Sequence, residues 1–189
     1  WPAVVTVVAG TTAWSSTCTG VQWGGLRPYF WNSVRMTVPA VMLATMLGAM
    51  NGYVNAQWRF KGANLIFSLM LFGCFIPFQV VLLPMARMLG LMGLAGSTPG
   101  LIVVHVIYGI GFTTLFFRNY YVTIPAELTK AAKVDGAGFF RIFRPIFLPL
   151  SLPIVAVTVL WQLPQTRNDY LFGVSFSQAV TQPDTVDLN

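Results

Sequence analysis

Ionisable chemistry is scarce in this chain: eleven Lys and Arg, five Asp and Glu and one histidine among 189 residues. Six of those charges, Glu127, Lys130, Lys133, Asp135, Arg141 and Arg144, fall in one short stretch between two long apolar runs. Carboxylates and histidine are otherwise scattered, so nothing resembles a paired acid–base site. His105 sits inside an apolar run. An ionisable group there either serves a substrate or proton path or is a neutral imidazole bonded to a neighbouring helix. No His, Cys, Asp or Glu stands beside it at ligand spacing, so no metal site is expected. A Gly-x-x-x-x-Gly-Lys-Ser/Thr phosphate loop is absent, so the chain supplies no nucleotide hydrolysis by that route. Gln79, Asn119, Trp161, Gln162, Asn168 and Asp169 are polar or aromatic groups in or beside apolar segments. Aromatic faces and amides are what sugars bind. Gln79, Trp161, Asn168 and Asp169 are therefore candidates for a carbohydrate path, the alternative being hydrogen bonds between helices.

The elements that must position these groups are set by composition. With 56% hydrophobic and 8% charged residues and a mean hydropathy of +0.69, the chain is a polytopic membrane protein rather than a soluble globule. A hydrocarbon core of about 30 Å needs about 20 apolar helical residues. Four segments reach that length, roughly 33–54, 63–85, 99–121 and 146–167. Gly48 and Gly52 form a small-xxx-small pair suited to close helix approach. Pro77 and Pro84, Gly109 and Gly111, and Pro149, Pro153 and Pro164 interrupt the later segments, as helices lining a protein-enclosed path do. Glycines at 90, 93 and 96 read as a flexible turn.

Net charge is +6 without a basic stripe interleaved with aromatics, so the excess reads as topology-setting loop charge and not as a nucleic-acid footprint. Arg59 and Lys61 lie on the same side of four spans as Arg118, Lys130, Lys133, Arg141 and Arg144, and that denser side is cytoplasmic by the positive-inside bias. Residues 1–31, rich in Trp, are then an external, interfacial segment; 32–180 form the membrane domain; 181–189 belong to an external loop. Truncation at both ends is expected. Cys18 and Cys74 imply neither a disulfide framework nor a Cys-rich metal site.

The charged stretch has helical punctuation. Pro125 suits the first position of a helix, where its missing N–H costs nothing, and Glu127 complements the positive end of the helix dipole. That helix runs through Val134 and stops at Asp135-Gly136, a turn-forming pair. Ala131 and Ala132 keep one flank small for a partner. From about Ala137 a second helix places Phe139, Phe140, Phe143 and Phe147 on an apolar stripe, with Arg141 and Arg144 left in the aqueous phase. The result is either a compact lever projecting from the membrane or a surface helix anchoring a loop to the headgroups.

The order Glu127, Ala131-Ala132, Asp135-Gly136-Ala137 and Leu148-Pro149 resembles the cytoplasmic EAA coupling loop of binding-protein-dependent ABC importer permeases, especially the maltose-type sugar branch. Asn32-Ser33, Arg59-Phe60-Lys61-Gly62, Ile76-Pro77 and Phe117-Arg118-Asn119-Tyr120-Tyr121 extend the likeness over about residues 29–180. Cys18-Thr-Gly and Leu71-Phe-Gly-Cys-Phe-Ile-Pro-Phe are most similar to glucose or mannose permeases. The resemblance implies an all-α membrane bundle of the type I ABC importer permease kind, multi-pass in a bacterial inner membrane. About six spans are usual in the family, so four fit a chain lacking its first and last.

By the same resemblance, the short helix docks in a cleft of a cytoplasmic ATPase dimer. Glu127 would lie near a basic ATPase residue and Gly136 at the bend, with Ala131, Ala132, Asp135 and Ala137 completing the contact. ATP is consumed by that partner and no cofactor is bound by this chain. A second permease subunit, an external sugar-binding protein and membrane lipid are the other implied partners; nucleic acid is not one. Two residues depart from the family pattern. Arg167 precedes Asn168-Asp169 where Trp is common, and Pro145 stands inside the second coupling helix, where a missing N–H can kink the lever. A non-transporting scaffold retaining the docking loop and a membrane enzyme acting on lipid-linked substrates are the other readings. The latter lacks the clustered carboxylates it would need.

Overall fold

The computed structural model describes residues 27–58 and 61–167. Among them the chain forms helices α1 (Arg27–Gln57), α2 (Ala63–Cys74), α3 (Phe78–Leu91), α4 (Thr98–Val122), α5 (Ala126–Val134) and α6 (Phe139–Ile142). A π-helical turn (Phe143–Phe147), α7 (Leu148–Leu150) and α8 (Leu152–Arg167) follow. The described residues contain no β-strand, in keeping with the all-α bundle that the resemblance implies.

The pair α1 and α4 is the spine, and these two helices are each long and apolar enough to cross a membrane alone. They touch because α1 carries a stripe of small buried residues, Ala40, Ala44, Gly48 and Gly52, at every fourth position. Every fourth residue lies on nearly one line of a helix, so the backbones can close in along three turns. A Cβ on Gly48 would collide with the Thr113 side chain, and one on Gly52 would stand 2.6 Å from Phe117 Cβ and 2.8 Å from Arg118 N. Thr113 Oγ1 donates across the pair to Ala44 O at 3.0 Å, with Gly109 O on its own helix at 2.9 Å. Only Gly48 and Gly52 of this stripe are evident as a small-xxx-small pair in the sequence. The opposite face of α1 leaves Val38, Met42, Leu43, Met46 and Leu47 exposed, a composition suited to lipid.

The spans expected at 63–85 and 146–167 are not straight helices. α2 and α3 meet at a 105° bend and the Phe139–Leu150 run meets α8 at 73°, so each pair crosses the membrane only if taken as one broken span. Physical causes are local. Pro77 disfavours a helical residue before it and caps α3 with ψ 130°, which ends α2 at Cys74. Pro149 and Pro153 flank Ser151, and the ring of Pro153 displaces the carbonyl four residues back. Pro84 and Pro164, by contrast, stay inside their helices. α2 packs on α4, and α8 packs on both α1 and α4.

Two apolar clusters sit at opposite ends of the spine. Met36, Leu89, Leu101 and Val104 join α1, α3 and α4 at one end. Tyr53, Phe117, Tyr121, Ile142, Phe143 and Phe147 join α1 and α4 to the charged stretch at the other. The charged stretch is therefore built into the bundle and is not a loose loop.

Candidate functional site

The helix expected from Pro125 forms as α5, with Pro125 one residue earlier than foreseen, as the cap (φ −54°, ψ 129°) and not the first helical residue. Its end is a Schellman turn. The Gly136 N–H donates to Lys133 O at 3.1 Å and the Ala137 N–H to Ala132 O at 2.9 Å, while Gly136 adopts φ +72°. A left-handed residue is what reverses the chain into α6, and glycine takes that conformation without a Cβ penalty.

α5 has two unlike faces. On the inner one Thr129 is buried and its Oγ1 donates to Gln57 Oε1 at 3.2 Å; Gln57 Nε2 in turn donates to Tyr121 O at 3.1 Å. One amide side chain thus ties α5 to the ends of both α1 and α4. Lys133 adds a cation–π contact, its Nζ lying 4.3 Å from the Trp58 ring centroid, and Ala132 and Ala137 pack on the aromatic cluster. On the outer face Leu128 (44% exposed), Ala131 and Val134 (88% exposed) form a ridge at i, i+3 and i+6, flanked by exposed Glu127, Asp135 and Gly136. Of the six expected contact residues, Glu127, Ala131, Asp135 and Gly136 are therefore open, and Ala132 and Ala137 support them from below.

Behind α5 the expected aromatic stripe closes around Tyr53 of α1. Its ring centroid lies 4.9 Å from Phe139, 5.2 Å from Phe143 and 4.6 Å from Phe147. Phe140 parts from the other three: it is exposed and touches Phe139 edge-on. At Pro145 the lever widens into a π turn, and the 73° bend falls later, between Leu150 and Leu152. Without an N–H the proline cannot donate into an α-helical ladder, and the backbone widens into the π turn, in which the Leu148 N–H donates to Phe143 O. The wider turn rotates Phe147 onto Tyr53 and Tyr121. Next to it the Tyr121 hydroxyl lies 2.6 Å from Ser151 Oγ, and Ser151 Oγ donates to Phe147 O, which pins the α7–α8 bend to α4.

A second feature lies between α4 and α8, seven residues and more beyond the start of α4. His105, Tyr108, Gly109 and Phe112 on α4 face Trp161, Gln162, Gln165 and Thr166 on α8 around a cavity of about 210 Å³. Of the expected carbohydrate-path residues, Trp161 lines this cavity. Gln79 is exposed at the start of α3 and is not among the lining residues, and Asn168 and Asp169 lie outside the described residues. Sequence reasoning missed Gln165 and Thr166, although 161, 162, 165 and 166 share one face at helical spacing and could have been found by that period. Gln57 and Thr129 were also missed, because their partnership spans 72 positions of sequence.

This architecture matches known proteins. Residues 40–177 match the family model described as binding-protein-dependent transport system inner membrane component. The chain belongs to that family. Within it, a probable ABC transporter permease protein of Pyrococcus horikoshii is 41% identical over 131 residues, covering 69% of this chain and 48% of the relative. The xylose/arabinose import permease protein of Haloferax volcanii is 32% identical over 182 residues, 84% of this chain and 58% of the relative. The diacetylchitobiose uptake system permease protein of Streptomyces coelicolor is 34% identical over 149 residues, 79% and 49% respectively. This family member therefore spans about half the length of these curated relatives. A bacterial ABC transporter involved in import of the acidic polysaccharide alginate, solved as a crystal structure, shares the fold. Its TM-score is 0.69 at 22% identity, covering 85% of this chain and 60% of that one. The helix bundle is thus that of an ABC importer permease, and the family is one of multi-pass inner-membrane transport components and not of enzymes.

Proposed function

We propose that this chain is part of a permease subunit of an ATP-driven carbohydrate importer, in which α5 docks on a cytoplasmic ATPase dimer and transmits its motion to the membrane helices. The observation that carries the reading is the outer face of α5, an apolar ridge of Leu128, Ala131 and Val134 bordered by the carboxylates of Glu127 and Asp135 and by the exposed Lys130. Burying a Leu or Val side chain is worth about 1.5–3 kcal/mol, so covering Leu128 and Val134 with a partner is favourable. The partner that fits is an apolar cleft with a basic rim, facing Glu127 and Asp135. Movement of α5 would pass through Thr129 to Gln57 and hence to α1 and α4, and through Phe139, Phe143 and Phe147 to Tyr53. A second permease subunit completes the membrane path and an external sugar-binding protein delivers the cargo. Similarity to relatives named for pentose and diacetylchitobiose uptake supports a carbohydrate. A monosaccharide such as glucose is the cargo we favour, because the cavity between α4 and α8 is small. Gln79, Asn168 and Asp169 are proposed to extend the path beyond Trp161.

The test is copurification from detergent-solubilised membranes expressing the full-length gene product. Val134→Asp, at a side chain 88% exposed, is expected to strip an associated ATPase and abolish uptake while leaving the protein in the membrane. An ATPase retained at wild-type levels by Val134→Asp would remove the docking role.

A further inference from the structure

The ends of four helices meet in a groove on the α5 side of the bundle, away from the cavity between α4 and α8. Residues 55–57 of α1, 62–64 at the start of α2, Arg118 of α4 and the run 122–126 into α5 line it. We infer that this groove holds the phosphate headgroup of an anionic phospholipid from the leaflet on that side, with Arg118 as the charged group and the exposed face of α2 as the track for an acyl chain. Its volume, about 700 Å³, lies within the ~300–1,000 Å³ of sites that take small molecules.

Depth comes first. α4 has 25 residues, which make about 37 Å of helix against about 30 Å of hydrocarbon, so its terminal turns reach the headgroups. Arg118 stands one turn before Val122, the last residue of α4. The groove is therefore at the level of lipid phosphate.

Charge is the second observation. The Arg118 guanidinium carbon lies 4.0 Å from the centroid of the Phe67 ring. Stacking fixes the guanidinium plane, and its N–H groups donate within that plane, a fork suited to phosphate oxygens. No carboxylate stands among the described residues that line the groove, and neither Arg59 nor Phe60, between α1 and α2, is acidic. Glu127, beside Ala126, is exposed on the outer face of α5. Arg118 thus lacks a counter-ion in the groove that it lines. The first residues of α2 and α5 open on the same space, and neither helix has a side-chain cap, so their free N–H groups add to the positive field of Arg118.

The third observation favours a lipid over a soluble phosphate. Asn64 lines the groove, and from the next residue α2 leads away from it with Leu65, Leu69 and Phe72 exposed. Those three fall at i, i+4 and i+7, on one face of the helix. A polar, cationic pocket at headgroup depth continues directly into an apolar strip, which is the order of groups along a phospholipid. Basic pockets between membrane helices take anionic headgroups for this reason.

The experiment is native mass spectrometry of the full-length protein released from nanodiscs of equimolar phosphatidylglycerol and phosphatidylcholine. Phosphatidylglycerol is expected to be retained about five-fold or more over phosphatidylcholine, the effect of one basic residue near an anionic lipid surface. Arg118→Gln is expected to bring that ratio close to one. Asn64→Asp is expected to do the same, and it carries the test should Arg118→Gln fail to fold, because an acidic residue in the first turn of α2 favours the helix while repelling the headgroup. Arg144→Gln, at an exposed arginine outside the groove, is expected to leave the ratio as it is. Equal retention of the two lipids by the wild type overturns the inference. So does an unchanged ratio in either groove variant, when folded, or an equal loss in Arg144→Gln. Release of the bound phosphatidylglycerol by excess inorganic phosphate would assign the groove to a soluble anion and overturn the lipid as its occupant. None of these outcomes depends on an ATPase.

Discussion

Gly136 is where backbone conformation and proposed coupling meet, and its replacement can be worked from geometry alone. The residue holds φ +72°, and a Cβ added there would meet nothing within 4 Å. Gly136→Ala therefore creates no clash, and its whole cost lies in the backbone. A left-handed conformation costs an L-residue about 1–2 kcal/mol, from which about 0.4–1 kcal/mol is recovered because alanine loses less entropy on folding. The net is about 1 kcal/mol, a roughly five-fold rise in the opened form of the α5–α6 turn. Gly136→Asn tests the cause, since asparagine tolerates the left-handed region far better than alanine does. The readout is hydrogen exchange by mass spectrometry on the full-length protein in nanodiscs. The amides of Gly136 and Ala137, which donate to Lys133 O and Ala132 O, should exchange about five-fold faster in Gly136→Ala and much closer to wild type in Gly136→Asn. Amides of α1 and α4 should not change. Equal acceleration in the two variants, or no acceleration in either, would refute the left-handed turn as what holds the end of α5.

Other consequences follow from the same contacts. Gly52→Ala puts a Cβ 2.8 Å from Arg118 N, a backbone atom that cannot step aside, and should cost about 1–3 kcal/mol, seen as a lower melting temperature in detergent. Tyr53→Ala empties the centre of the aromatic cluster and should cost about 3–5 kcal/mol, while Phe140→Ala, at a side chain 66% exposed, should stay within about 0.5 kcal/mol. Comparable melting points for those two variants would contradict the clustering.

Much of the coupling segment was legible because its signals are local. Pro125, Glu127 and Asp135-Gly136 are helix punctuation, and they place α5 within a residue of its observed start and end. Phe139, Phe143 and Phe147 were legible as a stripe, but their common target was not: Tyr53 lies over eighty residues away and only packing selects it. Pro145 was readable as a disruption, and whether it would break, bend or widen the helix depended on what Phe147 gains by rotating onto Tyr53 and Tyr121. Periodicity could equally have found Ala40 and Ala44 above Gly48 and Gly52. It could not have said that α4 would be the helix that fills the groove.

By itself the sequence determined a membrane bundle, because an apolar chain can satisfy its backbone in lipid only by forming helices or a closed barrel. It also determined a charged lever with a glycine hinge, because capping and left-handed turns are decided within a few residues. The tertiary structure decided the rest: where the second and fourth segments bend, which amide joins α5 to α1 and α4, and that His105, Trp161 and Thr166 share one cavity. Those outcomes depend on contacts between residues tens of positions apart. Hydropathy reports only that such residues are buried, and packing alone decides against what.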